Sequence, residues 1–256
     1  MQNVKIPVFY YHSIGGPEPQ TLSLSLFRNH LDLLLKHRVK TITFSQLIEG
    51  DYSPNEKLAV ITFDDGLLDN FDNALPELIK RDQVGTFFCV PGYDAITRYV
   101  NPHTERWSDT PKSGYSIPFK SMTREHRREL IQQGMEIGSH TMTHRKLTQI
   151  EPREIESEIH GSKYRLEEEL GITIKSFCYP NGKYDASIIR QVKQAGYKGA
   201  TITWPGYANK RKNDYETNRF LIKNPYYFEQ ILLGKAFSAY SFLASGIRFG
   251  RFSFFQ

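Results

Sequence analysis

Residues Leu58-Ala59-Val60-Ile61-Thr62-Phe63 form an almost continuous apolar run, without the polar–apolar alternation of a strand that faces water on one side. Such a run reads as a strand buried on both faces, the pattern of parallel sheets covered by helices. The rest of the chain supplies those helices. Residues 8–14 read as a strand, and 23–38 carry Phe27, Leu31, Leu34 and Leu35 at helical spacing. Residues 41–44 read as a strand, with Ser45 as N-cap of a short helix. The alternation continues with helix 71–80, strand 85–90, helix 124–133, strand 135–138, a charged helix 152–170, strand 174–179 and helix 185–195. Strands 197–203 and 220–223 and a closing helix from about residue 226 complete it. Repeated strand–helix units predict an α/β fold with a mostly parallel sheet, and their number favours a barrel over an open sheet.

The chain has 256 residues, 39% of them hydrophobic, with 17 Phe and 15 Tyr. That is enough for one large core, and residues 1–256 are read as a single domain. Two stretches break the alternation, 93–120 and 203–218. Both read as long loops after strands, on the side where barrel active sites form.

The net charge of +5 is concentrated in Asn209-Lys210-Arg211-Lys212-Asn213 and at Arg248 and Arg251. Two readings stay open: a solvated loop and tail, or attraction to an anionic glycan, a lipid phosphate or a membrane surface. The aromatic tail 228–255 likewise reads either as a closing helix packed on the domain or as an interfacial segment making peripheral membrane contact. No basic stripe or nucleic-acid motif occurs, so nucleic acid is not expected as a partner. Cys89 and Cys178 lie in apolar stretches without zinc-type spacing and read as buried thiols. The apolar run that begins at Ile6 is cut off by His12, too soon for a signal peptide, and nothing approaches transmembrane length. A cytoplasmic location is the resulting expectation.

Three clusters carry chemistry, each at a strand end. Thr62-Phe63-Asp64-Asp65-Gly66 sets two adjacent carboxylates at a buried strand end, where like charges resist ionising together and a cation would relieve them. Ser139-His140-Thr141-Met142-Thr143-His144 spaces two histidines four apart, which on a helical turn would share one face and one divalent ion. With Asp65 they suggest a two-histidine, one-carboxylate site, leaving Asp64 as a base. Phe177-Cys178-Tyr179-Pro180-Asn181-Gly182 forms a turn able to offer a backbone N–H to a developing oxyanion. Taken singly, each has a plain alternative: an N-cap turn, an incidental histidine pair, and a common Tyr-Pro-x-Gly turn.

In this order, the three clusters resemble the polysaccharide deacetylase family, or NodB homology domain. The likeness covers residues 57–202 and includes Ala74-Leu75-Pro76, Gly85-Thr86-Phe87-Phe88 and the Gly134–His140 stretch. The resemblance implies a distorted (β/α)7-type barrel holding one divalent ion, with zinc the first choice. It implies Asp65, His140 and His144 as ligands, Asp64 as the base that activates water, and the Tyr179 N–H as an oxyanion donor. The substrate would be a carbohydrate with N-acetylhexosamine; an O-acetyl esterase or an inactive glycan-binding barrel are the alternatives.

The chain also departs from the family pattern. Where many members have an arginine just before the proline of the third motif, Cys178 and Tyr179 stand here, and Arg219 is the candidate replacement. The late Leu-x-x-His motif that supplies the general acid is missing, and no histidine follows His160. His12 is the candidate acid, with His103 second. The Tyr11-His12 pair resembles the circularly rearranged poly-N-acetylglucosamine deacetylases, whose acid sits on an N-terminal strand.

Overall fold

The structure, a computed structural model, describes residues 5–16, 21–100, 107–108, 110, 113–114, 117–208 and 213–235. Strand β1 (Ile6–Tyr11) leads through α1 (Leu24–Lys36) to β2 (Val39–Ile42), α2 (Phe44–Glu49) and β3 (Lys57–Phe63). A π-turn, Asn70–Ala74, runs into α3 (Leu75–Ile79) and β4 (Thr86–Cys89). After β5 (Thr97–Val100), β6 (Trp107–Ser108) and β7 (Ile117–Lys120) come α4 (Arg124–Gln132) and β8 (Glu136–Ser139). Helices α5 (Pro152–Glu156) and α6 (Ser162–Leu170) flank a second π-turn, Ser157–Gly161. Strand β9 (Ser176–Cys178), α7 (Ala186–Gln194), β10 (Gly199–Thr201), β11 (Tyr207–Ala208) and α8 (Pro225–Leu232) follow.

The main sheet has eight strands in the order β10-β9-β8-β4-β3-β1-β11, with β2 also paired to β3. Every pairing in it is parallel except β1 with β11. As the apolar run implies, β3 is buried on both faces from Leu58 to Phe63, and all six residues of β1 are buried. Phe63 stacks on Phe87 at 4.6 Å, and Tyr11, Phe27 and Phe63 meet edge to face or tilted beneath α1. Each such side chain contributes about 1.5–3 kcal/mol on burial.

The sheet curls into a distorted barrel, and a short segment spans its open side. Thr217 bridges to Thr201 of β10, and Phe220 bridges to Phe9 of β1. The 220–223 strand expected from sequence is therefore only a single-residue bridge, flanked by Phe220 N–H donating to Val8 O (2.7 Å) and Tyr10 N–H to Phe220 O (3.0 Å). Arg219 rides on this closing segment.

Three further expectations change. Thr43, not Ser45, caps α2: its hydroxyl accepts from Gln46 N–H while the Gln46 side chain accepts from Thr43 N–H, a reciprocal box that Ser45 cannot make. The 93–120 stretch is not all loop, because β5 pairs with β6 and β7 as a separate antiparallel sheet. The 152–170 helix is continuous but widened by its π-turn. His103, Lys210, Arg211, Lys212, Arg248, Arg251 and the tail beyond residue 235 lie outside the described residues. Among the described residues, no helix is long and apolar enough to cross a membrane.

Candidate active site

Because the strands are parallel, their C-terminal ends share one end of the barrel. Tyr11 pairs with Phe63, Cys89 with Ser139 and Ser139 with Phe177. The residues that follow, His12, Asp64, His140 and Cys178, are therefore neighbours at that end. Asp64 N–H donates to Tyr11 O at 2.9 Å and His140 N–H to Cys89 O at 2.9 Å, extending the ladders by one step.

The chain then turns sharply. Asp65 adopts φ 74° and Gly66 φ 66°, a left-handed geometry that costs a non-glycine residue about 1–2 kcal/mol. A Cβ on Gly66 would lie 3.3 Å from the Cys89 Cα, so the turn is tight as well as left-handed. Its effect is to aim adjacent carboxylates in different directions. Asp64 faces inward, where Arg219 grips it with Nη1 to Oδ1 at 2.7 Å and Nη2 to Oδ2 at 2.8 Å. Nη1 also donates to Thr62 Oγ1, Nε to Ile202 O and Nη2 to Cys178 Sγ (3.2 Å), and the guanidinium lies 4.5 Å from the Tyr10 ring. Burial alone would push the Asp64 carboxyl up; the Arg219 charge and hydrogen bonds outweigh it and hold the group below the usual carboxylate range. Asp64 is therefore a fixed, ionised carboxylate.

Asp65 faces the histidines. Its Oδ1 lies 3.5 Å from His140 Nε2 and 3.2 Å from His144 Nε2. Burial again raises this carboxyl, and His144, followed by His12 and His140, lowers it further than burial lifts it. The histidines do not sit on a helical turn as their spacing suggested. They lie on an irregular loop after β8 in which Thr141 (φ 65°) and His144 (φ 58°) are left-handed, and Thr141 Oγ1 accepts from His144 N–H. The rings still converge, with centroids 4.7 Å apart.

His12 stands at the end of β1, and its charge lowers the pKa of both Asp64 and Asp65. Its backbone carbonyl accepts from Asn70 Nδ2 at 2.7 Å, while its Nδ1 is buried without a hydrogen-bond partner among the described residues.

One donor of an Asp65–His140–His144 set is already oriented for a cation. His140 Nδ1 lies 2.8 Å from Cys178 O, and a carbonyl only accepts, so Nδ1 carries the proton and Nε2 presents its lone pair to the site. The three ligand atoms lie within 4.8 Å of one another, and two imidazoles with one carboxylate suit a divalent metal. Asp64, His140 and Cys178 form a second cluster of the same size. It fits poorly, because Arg219 occupies both Asp64 oxygens and burial pushes the Cys178 thiol up.

The sequence model of the family described as polysaccharide deacetylase matches residues 51–200, more than half the chain. The chain belongs to the polysaccharide deacetylase family. It is 28% identical over 240 residues to YxkH of Bacillus subtilis, which carries a polysaccharide deacetylase name, covering 92% of this chain and 76% of that one. A peptidoglycan-N-acetylglucosamine deacetylase of Bacillus cereus is 24% identical over 157 residues, covering 61% of each. The Streptococcus pyogenes deacetylase PplD, solved with acetate, superposes with a TM-score of 0.74 at 23% identity, covering 91% of this chain and 99% of that one. That superposition supports the barrel as a deacetylase fold.

The deacetylase barrel brings six of the seven expected side chains to one rim, but Tyr179 differs. Its N–H is directed into the sheet toward Thr201 O at 3.4 Å, and its ring stacks on Tyr184. The turn that follows bonds Gly182 N–H to Tyr179 O and Lys183 N–H to Pro180 O, leaving the Asn181 N–H outside those bonds on a left-handed residue (φ 55°). Sequence reasoning missed Asn181; the sign was an asparagine between proline and glycine, a usual left-handed turn position. Trp204, half exposed, accepts the Arg219 N–H through its carbonyl and so lies at the same rim.

Proposed function

We propose that this chain is a metal-dependent N-deacetylase acting on an N-acetylhexosamine-containing glycan or glycolipid precursor. The observation that carries the reading is the division of labour between adjacent carboxylates, Asp65 among the histidines and Asp64 clamped by Arg219. A pure glycan-binding barrel has no use for a buried ionised base, and the name of the Bacillus cereus relative supports an N-acetyl group as the target. Asp65, His140 and His144 would hold the ion, with zinc the first choice. A divalent ion there supplies Lewis acidity that polarises the acetyl carbonyl.

The chain's own residues account for the proton movements. Asp64 takes the proton from the attacking water through the lone pairs Arg219 leaves open, and Arg219 keeps it ionised. The Asn181 N–H, which the bonds of its turn leave out, would take the place of Tyr179 in holding the oxyanion. His12 donates a proton to the amide nitrogen as the C–N bond breaks, releasing acetate and the amine. Trp204 offers an aromatic face to the sugar.

The test is hydrolysis of an N-acetylglucosamine oligomer and of a chromogenic acetyl ester, before and after chelation and zinc add-back. Amide turnover restored by zinc supports the proposal. Ester turnover alone favours an O-acetyl esterase. Activity indifferent to chelation, with no metal by elemental analysis, refutes the metal site.

A further inference from the structure

The loop from His140 to His144 holds two left-handed residues that are not glycine, Thr141 and His144 itself, so its shape must be imposed by its surroundings. The strongest hold on it comes from the π-turn Ser157–Gly161. The Glu158 carboxylate accepts from Thr143 N–H through Oε2 at 2.8 Å and from the Thr143 hydroxyl through Oε1, while its backbone carbonyl accepts from Met142 N–H at 3.0 Å. Glu158 is only 5% exposed. On the other side, Gly92 N–H donates to Met142 O at 2.9 Å and Tyr93 OH to Thr143 O at 2.6 Å. A Cβ on Gly92 would stand 2.4 Å from Met142 O, so only glycine permits that approach. Met142 and Thr143, two of the three residues between the paired histidines, are thus bonded from both sides, and Glu158 is the one carboxylate among those partners.

The π-turn gives Glu158 this place. Its i→i+5 bonding inserts an extra residue, and Glu158 and the core residue Ile159 both turn to the buried side. Buried carboxylates are rare unless they serve several donors, and this one serves the metal loop alone among the bonds it makes.

We infer that Glu158 is a positioning residue: it sets the loop in the shape that turns His140 Nε2 and His144 Nε2 onto Asp65, and so sets the affinity for a divalent ion. The inference rests on the proposed metal site, and its test separates the two. Full-length Glu158→Ala, Glu158→Gln and Thr143→Val are compared with wild type. The readouts are zinc affinity by competition with a chromophoric chelator, the visible spectrum of the cobalt-loaded protein, and the unfolding midpoint of the metal-free protein. Glu158→Ala should weaken zinc binding by about 10–100-fold and alter the cobalt bands, as loss of an outer-shell support does. Glu158→Gln, with the same shape, an acceptor for Thr143 N–H and a donor for its hydroxyl, should bind zinc as wild type does. Thr143→Val should weaken binding and add little in combination with Glu158→Ala, because the hydroxyl–carboxylate contact it removes is already lost in that variant.

Zinc affinity and cobalt spectrum unchanged in Glu158→Ala overturn the inference, whether or not the metal-free midpoint falls. So does equal loss in the Gln and Ala variants, which would make charge rather than shape the cause. If wild type binds no zinc, the metal reading itself fails and takes this one with it.

Discussion

Replacing Arg219 by methionine removes the guanidinium while keeping most of the side-chain volume, and its effect follows from burial. Arg219 and Asp64 are 0% and 4% exposed at their side chains, joined by two hydrogen bonds. Removing one partner of such a pair leaves an uncompensated buried charge, at a cost of about 3–5 kcal/mol. The sign of the pH dependence is fixed too. In the wild type the Asp64 pKa is depressed, so the pair stabilises the fold above the ordinary value of 3.8 and that contribution is lost as pH falls below it. In Arg219→Met the largest lowering influences are gone, burial is opposed only by the His140 and His12 charges, the pKa rises, and the charged carboxylate becomes a burden at neutral pH. The stability gap between the two proteins should therefore be widest near pH 7 and close in acid, measured by urea unfolding across pH. The acidic limb of kcat/KM, which reports the essential base of the free enzyme, should move to higher pH in the variant. Cys178 Sγ lies 3.2 Å from the guanidinium, so adding Cys178→Arg should return the limb toward its original position. A gap that ignores pH, or an acidic limb that does not move in Arg219→Met, would refute the assignment of Arg219 as the group that keeps Asp64 ionised.

Asp64→Asn should keep zinc while losing about 10²–10⁴-fold in turnover, and Asp65→Asn should instead lose zinc; elemental analysis beside kinetics distinguishes them. His12→Ala should bind zinc normally yet lose most amide hydrolysis; wild-type turnover in that variant would remove His12 from the acid role. Burial pushes His30, which stacks on Phe228 at 4.1 Å, down to about 3 from 6.5. The unfolded chain takes up a proton there that the fold excludes, so stability is intact above 6.5 and lost as pH falls toward 3. The loss is about 1.4 kcal/mol per unit, or about 2 kcal/mol between pH 6.5 and 5. His30→Leu should lack that share of the acid sensitivity in urea titrations.

What could be read from the sequence divides along a physical line. A strand buried on both faces announces a parallel sheet, and a parallel sheet gathers every strand's C-terminal end. For that reason His12, Asp64, Asp65 and His140 could be placed on one rim although they are scattered from position 12 to position 140. Arg219 was reachable because Cys178 and Tyr179 stand where many members of the family have an arginine, which made a later arginine the candidate replacement. The failures concern backbone states that side-chain periodicity does not encode. A spacing of four suggested a helical turn for His140 and His144, yet Thr141 and His144 are left-handed, a state whose cost is met by bonds from Glu158, Gly92 and Tyr93 rather than by local propensity. Residues 152–170 read as one charged helix, and nothing in its periodicity announces the π-turn that shifts the phase of the pattern and carries Glu158 inward. Only Gly161 in the middle of that helix hinted at the irregularity. In the 93–120 stretch the prolines and glycines masked Thr97-Arg98-Tyr99-Val100, whose β-branched and aromatic residues favour the strand it forms. Residues fixed by the sheet were thus legible from one strand, whereas those fixed by partners distant in sequence were not. The loop that carries His140 and His144 belongs to the second kind, so its shape depends on Glu158 as much as on its own residues.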